Sequence, residues 1–332
     1  MRPSDRQRAL PGGPPTPPLV SVVVPVFNGA RSLARAVCSL TRQTLSQLEV
    51  LIVDDGSTDD SVRVAMELAA RDPRIRLLRH RCNRGQSAAR NLALEQARGR
   101  WIAPVDADDE IDRERLRILV ESGETCGADL IADGVHFAGP RQPGTPARLV
   151  TDANREPRLL TVEVLIESDI PLNGRCSYGY LKPLIRRSFL ERWRLRYDEE
   201  LRFEEDLNLY VRALLHGGRF LLHPQSLYRY NQTPVSASRD VQVLPKVVDQ
   251  ALVNSRRMRE YARLHRRHDL DGLLDRHEQR WSTVLWFNRL KIALRGGRPG
   301  DVLQTMLDCP SGLRGLLLFA RDRARSKAQT VL

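Results

Sequence analysis

Three features of residues 19–111 predict an α/β fold, with a mostly parallel sheet and helices on both faces. Apolar, β-branched runs of strand length alternate with stretches of helical periodicity. The runs are apolar nearly throughout, as in strands buried on both sides. Each run also ends in a turn signal or in acidic residues, so several carboxylates reach the sheet edge where ligands of such folds bind.

The elements follow in order. LVSVVVPV (19–26) is a strand closed by the turn Phe27-Asn28-Gly29. Leu33, Val37 and Leu40 set a helical face within 31–44. EVLIVDDGSTDDS (49–61) is a second strand running into Asp54-Asp55. Its Ser/Thr/Asp cluster is suited to capping the next helix, whose apolar face is Val62, Met66 and Ala69. IRLLRH (75–80) is the third strand, and QSAARNLALEQARG (86–99) a helix with Gly99 expected as its C-cap. WIAPV (101–105) is the fourth strand. It delivers Asp106, Asp108, Asp109 and Glu110 within five positions. Like charges so close repel unless a cation or water neutralises them.

The second half is less regular. Residues 138–160, rich in Pro, Gly and Arg, are expected to form a connecting loop. FEEDLNLYVRALLHGG (203–218) is a helix with Leu207, Val211, Leu214 and Leu215 on its apolar face, ended by Gly217-Gly218. Beyond residue 240, Val247 to Leu264 and Leu273 to Leu290 carry the apolar spacing of two amphipathic helices. Residues 1–18 are expected to be a disordered Pro-rich tail without the apolar core of a signal peptide, and residues 239–332 a basic helical region.

Charge and cysteine usage narrow the function classes. The net charge is +12, yet residues 241–332 alone hold 18 Lys+Arg against 9 Asp+Glu, so the central body is close to neutral. The apolar-then-basic segment SGLRGLLLFARDRARSKAQ (311–329) suits either an anionic membrane surface or packing on the catalytic body with its arginines solvated. Nucleic acid is not the expected partner: an aromatic content of 5% argues against base-stacking platforms, and the strand-end acids would go unexplained. No stretch approaches the roughly 20 apolar residues that span a bilayer. The five cysteines are scattered without a C-x-x-C pair, as expected of reduced thiols in a cytoplasmic protein without disulfides or zinc. Neither a G-x-G-x-x-G nor a G-x-x-x-x-G-K-[ST] is present, and Ile111 stands where an EF-hand loop needs glycine. A sugar-1-phosphate nucleotidyltransferase, the competing enzyme class, would need a Gly/Arg/Lys-rich loop directly after the first strand. Phe27-Asn28-Gly29-Ala30 does not supply one.

Taken together, SVVVPVFNGA, VLIVDDGSTDDS, NRGQSAARNLAL, WIAPVDADDEI, LKPLIRRSFL and FEEDLNLYVRAL stand in the order seen in the family 2 glycosyltransferases of the GT-A fold. The chain resembles that family over roughly residues 19–235. The resemblance implies an inverting enzyme that moves a sugar, hexosyl or N-acetylhexosaminyl, from a nucleotide diphosphate to an acceptor hydroxyl on a glycan, lipid-linked sugar or small molecule. It assigns 19–115 to the nucleotide-sugar half and 116–238 to the acceptor half.

Residue by residue, the resemblance implies Asp108 as principal ligand of Mn²⁺ or Mg²⁺, with Asp106 on the ribose or the same ion. Asp109 is the alternative ligand, and His223 a candidate to complete the shell. Asp55 would accept from uracil N3–H, which points to a UDP-sugar. Pro25 and Phe27 would line the base pocket, Arg84 would close over the nucleotide, and Arg229 would reach the diphosphate. Arg90 is either part of that closure or a surface helix residue, and Arg186 and Arg187 serve either the acceptor or the fold. Asp206 would be the general base, with Glu205 as runner-up and Glu204 third.

Overall fold

The computed structural model describes residues 17–139, 148–149, 156–171, 176–232 and 244–295. The first half is a parallel sheet. β1 (Val20–Val26), β2 (Leu48–Asp54), β3 (Ile75–Arg79) and β4 (Trp101–Pro104) lie in the order β3-β2-β1-β4. Three helices make the crossovers: α1 (Ala30–Thr41), α2 (Ser61–Arg71) and α3 (Gln86–Gln96). β1 and β2 are buried at every position, which is why their sequences are apolar rather than alternating.

The second half comprises β5 (Glu110–Ile111), α4 (Arg115–Thr125), β6 (Leu130–Ala138), β7 (Arg148–Leu149), β8 (Arg158–Leu160), α5 (Val162–Asp169), β9 (Leu184–Arg186), α6 (Arg187–Arg192), α7 (Glu205–Leu215) and β10 (Phe220–Asn231). The sheet continues β4-β9-β6-β10-β5, with β9 antiparallel to both β4 and β6, and β6 parallel to β10. β9 therefore joins the parallel half to a mixed one, and the doubly wound pattern stops there. α8 (Leu244–Leu264) and α9 (Asp271–Arg295) complete the described chain as a helical pair packed on each other.

Local differences from expectation have physical causes. Gly99 is not a C-cap, since α3 ends at Gln96. A Cβ at Gly99 would meet Ser21 N at 2.4 Å, so glycine there permits close backbone approach to β1. Residues 148–149 and 158–160, expected in a loop, are short strands paired with β6 and β10. Gly217 does end α7, at φ +79. Four cysteines are free among the described residues, and no described helix is long and apolar enough to cross a membrane. The expected tail falls almost wholly outside the described residues, as do the segment 311–329 and Cys309.

Candidate active site

β1, β2 and β4 deliver their carboxyl ends to one edge of the sheet. There the backbone N–H of Asp55 donates to Val26 O at 2.8 Å, and that of Val105 to Val23 O at 2.9 Å. Asp55 is 2% exposed. Its Oδ1 accepts from Arg84 N (3.0 Å) and is hydrogen-bonded to His80 Nδ1 (2.7 Å), while Oδ2 accepts from Gly85 N (2.7 Å). A carboxylate offers about four lone-pair sites, so Oδ2 keeps one. Gly85 sits at φ +98, and a Cβ on it would meet Arg202 Nη1 at 1.8 Å. The turn requires glycine there, since an L side chain rarely adopts that φ. Pro25 is buried in β1 opposite Val53, whereas Phe27, just past the strand, is 49% exposed. The Phe27 turn is fastened to the loop after β2. Asn28 N donates to Ser57 Oγ (3.0 Å), and Thr58 N donates to Asn28 Oδ1 (2.8 Å).

A buried charge network lies beside this edge. Arg90, 0% exposed on α3, reaches Asp106 (2.8 Å), Glu205 (3.0 Å) and Asp206 (3.0 Å). Lys182 Nζ bridges Asp106 (2.9 Å) and Asp206 (2.7 Å), and Gln86 Nε2 donates to Asp106 Oδ1 at 2.9 Å. Burial opposes ionisation of Asp106, but the charges of Lys182 and Arg90 overcome it and hold the carboxyl down at about 2. Glu205 goes the other way. Burial and the neighbouring Asp206 push it up to about 7, against Arg90 and Lys182. Burial disfavours the charge on Lys182, yet Asp106 and Asp206 raise its affinity for the proton.

The acidic turn after β4 divides into two roles. Asp109 is 1% exposed. Its Oδ2 accepts from the Tyr228 hydroxyl (2.7 Å) and its Oδ1 from Asn231 N (2.8 Å). Burial, then Asp106 and Asp108, push its carboxyl well above the ordinary range. Asp109 thus ties the turn to β10 through both of its oxygens. Asp108 is half-buried, and among the described residues no side chain hydrogen-bonds its carboxylate. Burial and Asp106 push it up. An acid so placed is the group a hard cation relieves, and carboxylate oxygens suit Mg²⁺ or Mn²⁺, which draw remaining ligands from phosphates and water. Of the two strand-end acids, Asp108 offers its carboxylate to such an ion, while the Asp106 oxygens already hold Gln86, Arg90 and Lys182.

Clustered strand-end carboxylates beside a second, cation-held acidic pair invite comparison with known proteins. The model of the glycosyl transferase family 2 matches residues 21–165. Over 317 residues, 94% of this chain and 87% of its relative, the sequence is 36% identical to the succinoglycan biosynthesis protein ExoO of Rhizobium meliloti (strain 1021). The chain belongs to the family 2 glycosyltransferases. Solved structures agree on the fold. TarS 1–349 of S. aureus in complex with UDP matches with a TM-score of 0.55 at 19% identity, over 88% of this chain and 91% of that one. The mannosyltransferase PcManGT from Pyrobaculum calidifontis, in complex with GDP-Man and Mn²⁺, matches with a TM-score of 0.57 at 16% identity, over 96% of this chain and 88% of that one. The architecture is thus that of GT-A glycosyltransferases, and the protein transfers sugars.

In this family 2 glycosyltransferase, Asp106, Glu205 and Asp206 converge on Arg90 and Lys182, and Asp55 forms a neighbouring cluster with Arg84. Arg90 is no surface residue: its guanidinium stands over the Tyr197 ring at 5.0 Å and organises the centre. Arg84 is exposed and paired with Glu199 at 3.1 Å. Arg229 is exposed beside the acidic turn, donating to Asn231 Oδ1 at 3.2 Å. His223 is not brought to the acids. Its Nδ1 accepts from Gln225 N (3.3 Å), and burial lowers its pKa despite the nearby Asp133. Among the described residues no group of three His, Cys, Asp or Glu side chains that could hold a metal comes together. Arg186 and Arg187 bond the carbonyls of Ala128 and Gly99 and serve the fold. Sequence reasoning took Lys182 only as part of LKPLIRRSFL and missed its bridge between Asp106 and Asp206. For Lys182, the signal was a lone lysine opening an otherwise apolar stretch, LKPLI.

Proposed function

We propose that this glycosyltransferase inverts the anomeric centre of a UDP-sugar, hexosyl or N-acetylhexosaminyl, with Asp206 as general base. The observation that carries the proposal is the shared grip of Lys182 and Arg90 on Asp106 and Asp206. These two cations hold an acid of the donor edge and an acid of α7 at one point, where bond making and bond breaking must meet. The acceptor hydroxyl gives its proton to Asp206 as its oxygen bonds the anomeric carbon. The bond from that carbon to the diphosphate breaks on the opposite face, and UDP leaves with the electron pair. One-step displacement of this kind inverts configuration. Asp55 Oδ2 accepts from uracil N3–H, and Phe27 offers an exposed ring to the base. Mg²⁺ or Mn²⁺ held by Asp108 would offset charge on the departing diphosphate. Arg229, exposed beside the acidic turn, and Arg35, whose Nη2 donates to Asp108 O at 3.1 Å, are cations placed to help.

The likeness to a succinoglycan biosynthesis protein supports an acceptor hydroxyl on a growing exopolysaccharide. Residues 19–115 then serve the donor and 116–238 the acceptor. The basic region 239–332 supports a cytoplasmic enzyme peripheral to the inner membrane face. Nucleotide release measured with UDP-, GDP- and dTDP-sugars, with and without metal, tests the reading. Turnover of a UDP-sugar that stops in EDTA is expected. Full activity in EDTA, or turnover of GDP-sugars alone, would overturn the donor and metal assignments.

A further inference from the structure

We infer that the α8–α9 pair positions the catalytic acids, acting as a clamp on the segment that leads into Glu205 and Asp206. The inference rests on the reading of Asp206 as the base. Gln250, Asn254 and Arg257 recur at helical spacing along one stripe of α8, and all three hold the segment 198–208. Gln250 Oε1 accepts from Arg202 N at 2.8 Å. Asn254, fully buried, accepts from Asn208 Nδ2 at 2.8 Å and donates to Glu204 O at 3.5 Å. Arg257 pairs with Asp198 and Glu200. From α9, His277 is buried between Ser255 Oγ (2.6 Å from Nδ1) and Asp169 Oδ2 (3.0 Å from Nε2). The Asp169 carboxyl in turn lies against that of Glu204 and favours its proton.

Glu204 is where this chain ends and the catalytic pair begins. It stands at φ +67, a left-handed conformation that is unfavourable for a non-glycine residue and persists only where surroundings over-determine it. Its carbonyl is bonded from α8, and its carboxyl lies against Asp169, which α9 holds through His277. That fixes the direction in which α7 starts, and hence where Asp206 meets Lys182. The Ser255–His277–Asp169 chain has the residue types of a hydrolytic triad, but it is buried throughout, so it positions rather than reacts.

The test is hydrogen exchange with steady-state kinetics on the full chain carrying Asn254→Leu or His277→Gln. Residues 200–210 should exchange at least about tenfold faster while β1–β4 keep wild-type rates. kcat should fall about tenfold with donor KM within about twofold, because Asp55 is held by the amides of Arg84 and Gly85, outside the loosened segment. Gln250→Leu, on the half-buried rim, removes a single acceptor and should shift both readouts the same way by a smaller factor in a folded protein. Wild-type exchange at 200–210, a rise spread evenly over the sheet, or an unchanged kcat would each overturn the clamp. If the wild type transferred no sugar, the functional reading would fall, and the exchange pattern would still decide the clamp.

Discussion

The donor edge and the catalytic centre are built differently. Asp55 is held largely by main chain: the amides of Arg84 and Gly85 lie 29 and 30 residues away. Asp206 is held wholly by side-chain cations, one 116 residues away and the other 24. A main-chain amide survives substitution of the residue that carries it, so the donor edge tolerates change at Arg84, though not at Gly85, whose turn requires glycine. The catalytic centre depends on the identity of Arg90 and Lys182. Local motifs therefore reveal the first region, while the second is visible only once the chain has folded.

The largest contrast is expected from Arg90→Met. It leaves Asp106, Glu205 and Asp206 short of a buried cation, and breaking a buried pair costs about 3–5 kcal/mol. Chemical denaturation should show that loss together with loss of transfer, whereas Arg84→Met, at an exposed pair, should shift stability by less than about 1 kcal/mol. Equal effects would erase the distinction between the regions.

Asp108→Asn should come next. It should weaken UDP-sugar binding by about tenfold or more in metal-containing buffer and leave metal-free binding of UDP nearly unchanged, since one charge-assisted contact is worth about 1.5–3 kcal/mol. Asp109→Asn keeps an acceptor for Tyr228 and should show no such metal-linked loss in calorimetry. A metal-linked loss at Asp109 instead would exchange the two roles.

The smallest expected effect concerns Glu205, whose carboxyl titrates at about 7. Below that pH Glu205 is protonated, and Arg90 pairs with Asp106 and Asp206 alone. Above it, the ionised Glu205 adds a negative charge beside the acceptor proton and favours its departure. kcat should therefore rise with pH through about 7. Glu205→Gln should flatten the profile while staying within about tenfold of wild type. An unchanged inflection in Glu205→Gln would assign the titration elsewhere.

Much of the fold was legible because each strand of the first half is a short apolar run ended by acids or a turn, and burial on both faces leaves little else to choose. The mixed half was not, because β8 and β9 are three residues each and owe their strand geometry to the partners beside them. Gly99 shows the limit of local rules: position after a helix suggested a cap, but contact with Ser21, 78 residues away, decides it. At the site, the acids were readable from their crowding after β4. Their division was not, since it turns on Tyr228 and Asn231 reaching Asp109 from β10. Arg90 reads as an ordinary polar position on a helix. Only the three carboxylates from other elements make it central.

The central claim is that Asp206 takes the acceptor proton while donor binding is carried by other residues. Measuring kcat and UDP affinity for Asp206→Asn in one preparation tests it most directly. The amide keeps size and polarity but cannot accept the proton, so kcat should fall by about 10² to 10⁴ with UDP affinity essentially that of wild type. Wild-type kcat in Asp206→Asn, or an inactive Glu205→Gln beside an active Asp206→Asn, would move the base off Asp206 and contradict the account.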